Sequence, residues 1–167
     1  ADEPTTALDV TIQAQVLGVL KEVREKVGAS MVIISHNLGL IAEVADRVAV
    51  IYDGRVMETS GVEPLFASPR HPYTVGLMAS LPRLDVSTET LYSIPGQPPQ
   101  LDSRPSGCVF NPRCALGQGR SICVDQVPAL LLVAPSHSSA CHFSDSVPSW
   151  VATMGTPSDA VPAAKGS

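Results

Sequence analysis

Hydrophobic and polar positions in the first sixty residues alternate between two periodicities. Apolar residues recur at helical spacing at Ile12, Val16, Leu20, Val23 and Val27. Asp9 precedes this stretch as a candidate N-cap, and Gly28 follows it as a candidate C-cap. The apolar run over residues 31–34 is typical of a strand that is buried on both faces of a parallel sheet. An amphipathic helix followed by such a strand predicts an α/β fold.

The same alternation continues to about residue 61. Asn37 is a candidate N-cap for a second short helix. Residues 48–52 then predict a strand, Asp53 and Gly54 predict a hairpin turn, and residues 55–59 predict the returning strand.

Composition divides the rest of the chain into four segments. Residues 62–82 predict a helical connector, in which Pro72 occupies the first position of a helix. Residues 83–107 are rich in Pro, Gly and Ser, which predicts an extended linker. Residues 108–145 contain every cysteine of the chain, and residues 146–167 predict a disordered tail. With the α/β part over residues 1–61, this gives five segments.

Charge and hydropathy exclude two classes of function. The chain has 167 residues and a formal net charge of −5, which gives no overall electrostatic footprint for nucleic acid. No apolar run approaches the roughly 20 residues that a membrane-spanning helix needs.

Asp2, Glu3 and His36 are the first candidates for chemistry. Two acids at the end of a strand place one carboxylate on each side of the strand edge. One carboxylate could hold a magnesium ion while the other polarises an attacking water. His36 follows the apolar run, and ligands of open α/β sheets lie beyond the carboxyl ends of the strands. Seen singly, each motif is more often structural, but their conjunction is more informative than either one.

These residues belong to motifs that resemble a known family. The opening ADEPTTALDV resembles the end of the Walker B motif and the following D-loop of ABC transporter ATPases. The segments IISHNL and VAVIYDGRVMETSG resemble their switch-histidine motif and the hairpin after it. The resemblance implies the distal part of a P-loop NTPase domain of ABC type, with a small cysteine-containing C-terminal extension.

The family's roles pass to the matching positions of this chain. The resemblance implies that Asp2 supports magnesium, that Glu3 is the general base for the attacking water, and that His36 holds the γ-phosphate of ATP. It also implies that Asp9, with Ala7 and Leu8, forms a D-loop that contacts a partner ATPase.

Several motifs of the family are not found in this chain. It contains no G-x-x-x-x-G-K-[ST] phosphate-binding loop, no glutamine loop and no LSGGQ-type signature. Phosphoryl transfer depends on positioning and electrostatic stabilisation of the phosphates. We therefore expect a truncated chain that does not hydrolyse ATP alone, from a parent protein that is an ATPase.

The later segments narrow the resemblance. His71-Pro72-Tyr73, Ile94-Pro95-Gly96 and the cysteine segment resemble the C-terminal extension of oligopeptide and dipeptide importer ATPases. That resemblance implies a peripheral protein on the cytoplasmic face of the membrane. Its partners would be a second ATPase subunit in a head-to-tail dimer and transmembrane permease subunits. Some members handle nickel chelates, so the solute is left open.

Cys108, Cys114, Cys123 and Cys141 are separated by five, eight and seventeen residues. Structural zinc sites favour closer pairs, and this spacing matches neither common ferredoxin pattern. Disulfides are rare in the reducing cytosol, and free buried thiols are a further alternative. The resemblance implies a [4Fe–4S] cluster held by all four, because some members bind one here. Were the metal zinc, His137 or His142 could replace a thiolate.

Two other classes of function compete with the importer ATPase. One is a stand-alone metal-binding regulatory module, in which residues 1–61 only support the cysteines. The other is an ABC ATPase that acts in repair or translation instead of transport.

Overall fold

The computed structural model describes residues 1–4, 9–81, 93–100, 102 and 104–153. Contacts divide the chain into two compact units, Ala1–Ala45 and Asp46–Ser167. The predictions for Ala7, Leu8, the first part of the linker and the end of the tail lie outside the described residues. The sequence predicts that the ATPase-like part ends at residue 61, and this boundary stays a prediction.

Helices of the first unit begin and end where the sequence predicts. Helix α1 spans Val10–Val27, and its N-cap Asp9 accepts the N–H of Ile12 at 2.9 Å. Gly28 ends the helix with φ at 65°, a left-handed conformation that glycine adopts without strain. Helix α2 spans Leu38–Val44 and is capped by the side chain of Asn37.

The predicted strand over residues 31–34 is present only as a single parallel bridge, between Asp2 and Ile34. The N–H of Ile34 donates to the carbonyl of Ala1 at 2.9 Å, and the N–H of Glu3 donates to the carbonyl of Ile34 at 2.8 Å. A ladder between two strands continues only where successive residues of both strands are paired. The bridge supplies parallel pairing over a shorter length, but the prediction of a strand buried on both faces is wrong. Val32 and Ile34 are 77% and 58% exposed, because among the described residues the segment pairs only at this bridge.

An antiparallel sheet of four strands forms the centre of the second unit. Its order is β1-β2-β4-β3, where the strands are β1 (Arg47–Tyr52), β2 (Arg55–Gly61), β3 (Leu131–Ala134) and β4 (His137–Ser139). The predicted hairpin is confirmed, and Asp53 and Gly54 turn it with φ at 48° and 71°. The sequence did not predict that β4 pairs with β2, which joins the cysteine segment to the hairpin.

The described residues of the second unit also form four short α-helices. They are α3 (Val62–Ala67), α4 (Pro72–Ala79), α5 (Ser121–Asp125) and α6 (Val147–Thr153). Pro72 occupies the first turn of α4, as predicted. Helix α6 occupies the start of the segment for which the sequence predicts disorder, and its Val147 is fully buried. Within the described ranges, no helix is both long and apolar enough to cross a membrane.

An aromatic cluster packs the cysteine segment against the hairpin. The ring centroid of Tyr52 lies 4.7 Å from that of Tyr73 and 5.4 Å from that of Phe110. Met57, Cys108 and Val109 complete this buried core. Arg113 donates to the carbonyls of Ile94 and Pro95 and to the hydroxyl of Tyr52, and so ties the described end of the linker to the same core.

Candidate functional site

Glu3 and His36 meet in the first unit. Glu3 Oε1 lies 2.9 Å from His36 Nδ1, although 33 positions separate the two residues in the chain. The parallel bridge at Asp2 brings both strand ends to the same edge. Both side chains are substantially exposed, so the contact contributes little to stability and is accessible to a ligand.

The backbone of Glu3 has a conformation that is unusual for its residue type. Its φ is 42°, in the left-handed region that non-glycine residues rarely adopt. Such strain costs on the order of 1–3 kcal/mol and concentrates at functional sites. Strain at the candidate general base itself is consistent with a site that holds Glu3 in one orientation.

Asp9 performs a local structural task. Its carboxylate accepts the N–H of Ile12 and so caps α1. A carboxylate at a helix N-terminus is also stabilised by the helix dipole. The contact of Asp9 with a partner ATPase stays a prediction.

A single cavity of the second unit brings all four cysteines together. Cys108, Cys114, Cys123 and Cys141 line it, together with His71, Asn111, Gly117 and His142. All four cysteines are free thiols. Residues that span 34 positions of the chain thus present their sulfur atoms to one space, which the sequence pattern alone did not establish.

Gly117 forms one wall of this cavity. A Cβ on Gly117 would lie 3.2 Å from Cys123 Sγ and 3.3 Å from Cys114 Sγ. The N–H of Gly117 donates to Cys114 Sγ at 3.2 Å, and the N–H of Phe143 donates to Cys141 Sγ at 3.4 Å. The backbone therefore approaches the sulfur atoms closely and supplies hydrogen-bond donors to two of them.

Burial raises the pKa of all four thiols. The pKa of Cys114 rises to about 12 and that of Cys141 to about 11, chiefly through desolvation. Desolvation also raises the pKa of Cys108 and of Cys123. In the metal-free protein these groups are protonated at neutral pH, so they are poor nucleophiles.

The three histidines near the cysteine segment differ in their contacts. His71 is buried; its Nδ1 accepts the N–H of Tyr73, and it also makes a hydrogen bond to the backbone of Ala140. Desolvation lowers the pKa of His71 to about 3, so its ring is neutral. His137 does not line the cavity: its Nε2 lies 2.7 Å from Glu58 Oε1.

His142 does line the cavity, and its Nε2 donates to the carbonyl of Gln126 at 3.0 Å. The sequence suggested His137 and His142 as alternative zinc ligands. Of these two histidines, only His142 lines the cavity that contains the sulfur atoms.

Across the part of the chain that the structure describes, no group of three or more His, Cys, Asp or Glu side chains could hold a metal ion. The zinc or iron–sulfur site that the sequence suggests at the four cysteines is therefore not supported by the arrangement of these side chains.

Sequence reasoning did not identify three residues of these sites. Asn111 and Gly117 lie between the first three cysteines, and Glu58 lies in β2. The sequence signal that could have identified Asn111 and Gly117 is that both lie between cysteines of the cavity. Nothing local distinguishes Glu58, because its partner is 79 positions away.

Comparison with known proteins gives the family. Residues 57–123 match the family described as "Oligopeptide/dipeptide transporter, C-terminal region". The chain is 53% identical over 141 residues to the oligopeptide transport ATP-binding protein OppD of Mycobacterium bovis, which covers 84% of this chain and 23% of that protein.

Dipeptide transport ATP-binding proteins named DppD are also similar. The identity is 47% over 146 residues for Bacillus subtilis and 46% over 143 residues for Escherichia coli. These matches cover 87% and 86% of this chain and 43% of each relative, so the chain spans less than half the length of the relatives it matches. The chain belongs to the family of oligopeptide and dipeptide transport ATP-binding proteins.

Proposed function

We propose that this chain is the distal part of an ATP-binding subunit that drives peptide import, and that it supplies the groups which activate water for ATP hydrolysis. The contact between Glu3 Oε1 and His36 Nδ1 at 2.9 Å carries this proposal. It joins an acid and an imidazole at the edge where an α/β sheet binds phosphate ligands. The names of the relatives, which are peptide transport ATP-binding proteins, support the substrate class.

Each residue at this edge has a separate task in the proposed reaction. The carboxylate of Asp2 would help to hold a magnesium ion, which would neutralise charge on the phosphates of ATP. Glu3 orients a water molecule and accepts its proton as the water oxygen bonds to the γ-phosphorus and ADP leaves. His36 donates one hydrogen bond to Glu3 and a second to a γ-phosphate oxygen, when both of its nitrogens carry protons.

The remaining requirements of the reaction come from outside this chain. The chain contains no phosphate-binding loop, so the cradle for the phosphates must come from another part of the parent protein. A second ATP-binding subunit would face Asp9 in a head-to-tail dimer. Closure of that dimer would drive the transmembrane permease subunits. The protein would then lie at the cytoplasmic face of the membrane, bound to the permease.

The cysteine cavity of the second unit is proposed to hold a [4Fe–4S] cluster through Cys108, Cys114, Cys123 and Cys141. Four sulfur atoms around one space, with the backbone of Gly117 close to two of them, support this choice. The cluster would link Cys141, which follows β4, to the three cysteines that lie between β2 and β4. Its role is then structural.

Of the two rival functions, the stand-alone metal module is disfavoured by the names of the relatives, which are transport ATP-binding proteins. The other rival, an ABC ATPase acting outside transport, is disfavoured by the transporter names of the relatives.

ATP turnover by the full-length subunit that contains this chain tests the proposed hydrolysis. Glu3→Gln should lower kcat by about 10²–10⁴-fold, because it removes the proton acceptor. His36→Ala should also lower kcat, and both variants should still bind ATP. Glu43→Gln, at an exposed position of α2, is the matched control and should leave turnover unchanged.

Turnover by Glu3→Gln equal to that of the control would remove Glu3 from the reaction. Peptide uptake by vesicles that contain the permease subunits tests the transport assignment, since a non-transport ATPase would hydrolyse ATP without uptake.

Analysis of iron, zinc and acid-labile sulfide after anaerobic purification tests the cluster. Iron and sulfide near four each per chain, both lost in Cys114→Ser, would support it. Zinc without sulfide, or no metal, would contradict it and leave the ATPase proposal intact.

A further inference from the structure

The ring of His36 has little side-chain packing to hold it in place. Its side chain is 77% exposed, yet its Nδ1 lies 2.9 Å from Glu3 Oε1. Side chains occupy staggered rotamers, and the backbone torsions decide which of these rotamers are allowed. With so little packing around the ring, its direction depends chiefly on the backbone of His36.

The strand end before His36 is fixed to the segment that carries Glu3. The N–H of Glu3 donates to the carbonyl of Ile34, and the N–H of Ile34 donates to the carbonyl of Ala1. These two hydrogen bonds form the parallel bridge. The bridge fixes Glu3 relative to Ile34, but Ser35 and His36 lie beyond it.

One hydrogen bond spans His36. The hydroxyl oxygen of Ser35 accepts the backbone N–H of Asn37 at 3.1 Å. Serine closes a local turn in this way, by binding the backbone two residues ahead. Because His36 is the middle residue of the turn, the hydrogen bond restricts its backbone torsions.

Asn37 continues this support into α2. Its Oδ1 accepts the N–H of Leu40 at 3.2 Å, and its backbone carbonyl accepts the N–H of Ile41 at 3.1 Å. Leu40 and Ile41 are buried, whereas His36 and Asn37 are exposed. The turn closed by Ser35 therefore connects an exposed imidazole to a helix that is packed in the first unit.

We propose that Ser35 is a positioning residue for ATP hydrolysis: its hydroxyl accepts the N–H of Asn37 and so holds the backbone of His36 where the imidazole reaches Glu3. This inference rests on the proposed function of Glu3 and His36. The role does not require contact between Ser35 and ATP. The turn restricts the positions of the ring before ATP binds, so less conformational freedom is lost when His36 meets the γ-phosphate.

A purely structural serine would behave differently. A hydrogen bond that only stabilised the first unit would change turnover through the amount of folded protein, whether or not residue 36 is a histidine. A hydrogen bond that positions His36 has no effect on turnover once the imidazole has been removed. The two roles therefore differ in whether the effects of substitutions at Ser35 and His36 add.

The experiment measures ATP turnover by the full-length subunit that contains this chain. It compares Ser35→Ala, Ser35→Thr and Ser30→Ala, and it adds Ser35→Ala to His36→Ala. Ser30 is an exposed serine of the same unit, so its replacement is the matched control. Ser35→Thr keeps a hydroxyl at the position of the turn. Thermal unfolding of every variant is measured in parallel.

Ser35→Ala should lower kcat by roughly 3–10-fold, the equivalent of one ordinary hydrogen bond, and should change KM for ATP less than kcat. Ser35→Thr should restore most of the lost turnover, and Ser30→Ala should match the unmodified subunit. When His36→Ala is already present, Ser35→Ala should lower kcat by less than about twofold. The unfolding temperature of Ser35→Ala should stay close to that of Ser30→Ala.

Four results overturn the inference while the proposed function stands. They are a turnover by Ser35→Ala equal to that of Ser30→Ala, an equal loss with and without His36→Ala, no recovery in Ser35→Thr, and a Ser35→Ala subunit that fails to fold or unfolds at a clearly lower temperature. Unchanged turnover in both Glu3→Gln and His36→Ala would instead overturn the proposed function, and this inference with it.

Discussion

Glu58 Oε1 lies 2.7 Å from Nε2 of His137, and the two side chains are 0% and 3% exposed. The same carboxylate accepts the backbone N–H groups of Arg70 and His71. One buried acid thus joins β2, the start of α4 and β4. Because Cys141 follows β4 by two residues, this network also fixes the last cysteine relative to the hairpin.

Glu58→Gln should destabilise the second unit strongly. It removes the charge opposite His137 and replaces one of two acceptor oxygens by a donor, which faces a backbone N–H. Breaking a buried pair on one side typically costs about 3–5 kcal/mol. Urea unfolding followed by the fluorescence of Trp150, the single tryptophan of the chain, measures the change.

The control for this prediction is Glu63→Gln, at an exposed position in α3 of the same unit. It should unfold within about 0.5 kcal/mol of the unmodified chain. Equal unfolding midpoints for the two variants would mean that the Glu58–His137 pair gives no net stabilisation.

His71 should make the stability of the metal-free chain depend on pH. Desolvation lowers its pKa from 6.5 to about 3, and a hydrogen bond to the backbone of Ala140 offsets part of that effect. The unfolded chain therefore binds a proton at His71 between about pH 6.5 and pH 3 that the folded chain does not bind. The stability due to neutral His71 is fully present above pH 6.5 and falls as the pH decreases through this window.

The slope due to one such group is at most about 1.4 kcal/mol per pH unit. His71→Asn keeps an oxygen that can accept the N–H of Tyr73 but has no titratable group. Its free energy of unfolding, measured in urea at several pH values, should depend less steeply on pH than that of the unmodified chain. Identical slopes would show that His71 does not carry this proton linkage.

Gly107 should tolerate no side chain. A Cβ there would lie 2.4 Å from the carbonyl oxygen of Cys123 and 2.5 Å from that of Val124. Both contacts are with backbone, which cannot turn away as a side chain can. Cys108, the next residue, donates its N–H to the same Cys123 carbonyl at 2.9 Å, so the two segments cannot separate without losing this bond.

Gly107→Ala should therefore lower the free energy of unfolding of the second unit by roughly 1–3 kcal/mol, as overpacking does in buried sites. Gly18→Ala is the opposite case, because a Cβ at Gly18 meets nothing within 4 Å and the residue lies inside α1. That variant should be as stable as the unmodified chain or gain up to about 1 kcal/mol. Calorimetry of both variants checks the contrast, which fails if the two show the same change.

Local chemistry made parts of the fold predictable from the sequence. Asp9 and Asn37 cap helices through atoms within three residues of their own positions, and Gly28 and Pro72 act through their own backbone torsions. The turn at Asp53 and Gly54 belongs to the same class. Interactions of this range leave their signal in a short window of sequence, and each of these predictions is confirmed.

Long-range pairing was not predictable in the same way. The partner of Glu58 is 79 positions along the chain, and the pairing of β4 with β2 has no local signature. The cysteine spacing likewise left zinc, a cluster and free thiols open. Proximity of Glu3 to His36 followed from the geometry of parallel strand ends, which is a rule of topology, while the roles of both residues remain predictions.

Gly117→Ala should impair cluster loading more than folding. The added Cβ would lie 3.2–3.3 Å from the sulfur atoms of Cys123 and Cys114, so both would have to shift by a few tenths of an ångström. Thiols at the ends of single side chains can make that shift in the metal-free chain, which should unfold close to the midpoint of the unmodified chain. The proposed cluster would fix the sulfur positions, so iron and sulfide per chain should fall after identical anaerobic loading. Gly18→Ala, loaded in parallel, should bind as much as the unmodified chain.

If Gly117→Ala loads equally well, the cavity does not depend on the close approach of this backbone, and the argument from Gly117 for a cluster at this site is lost.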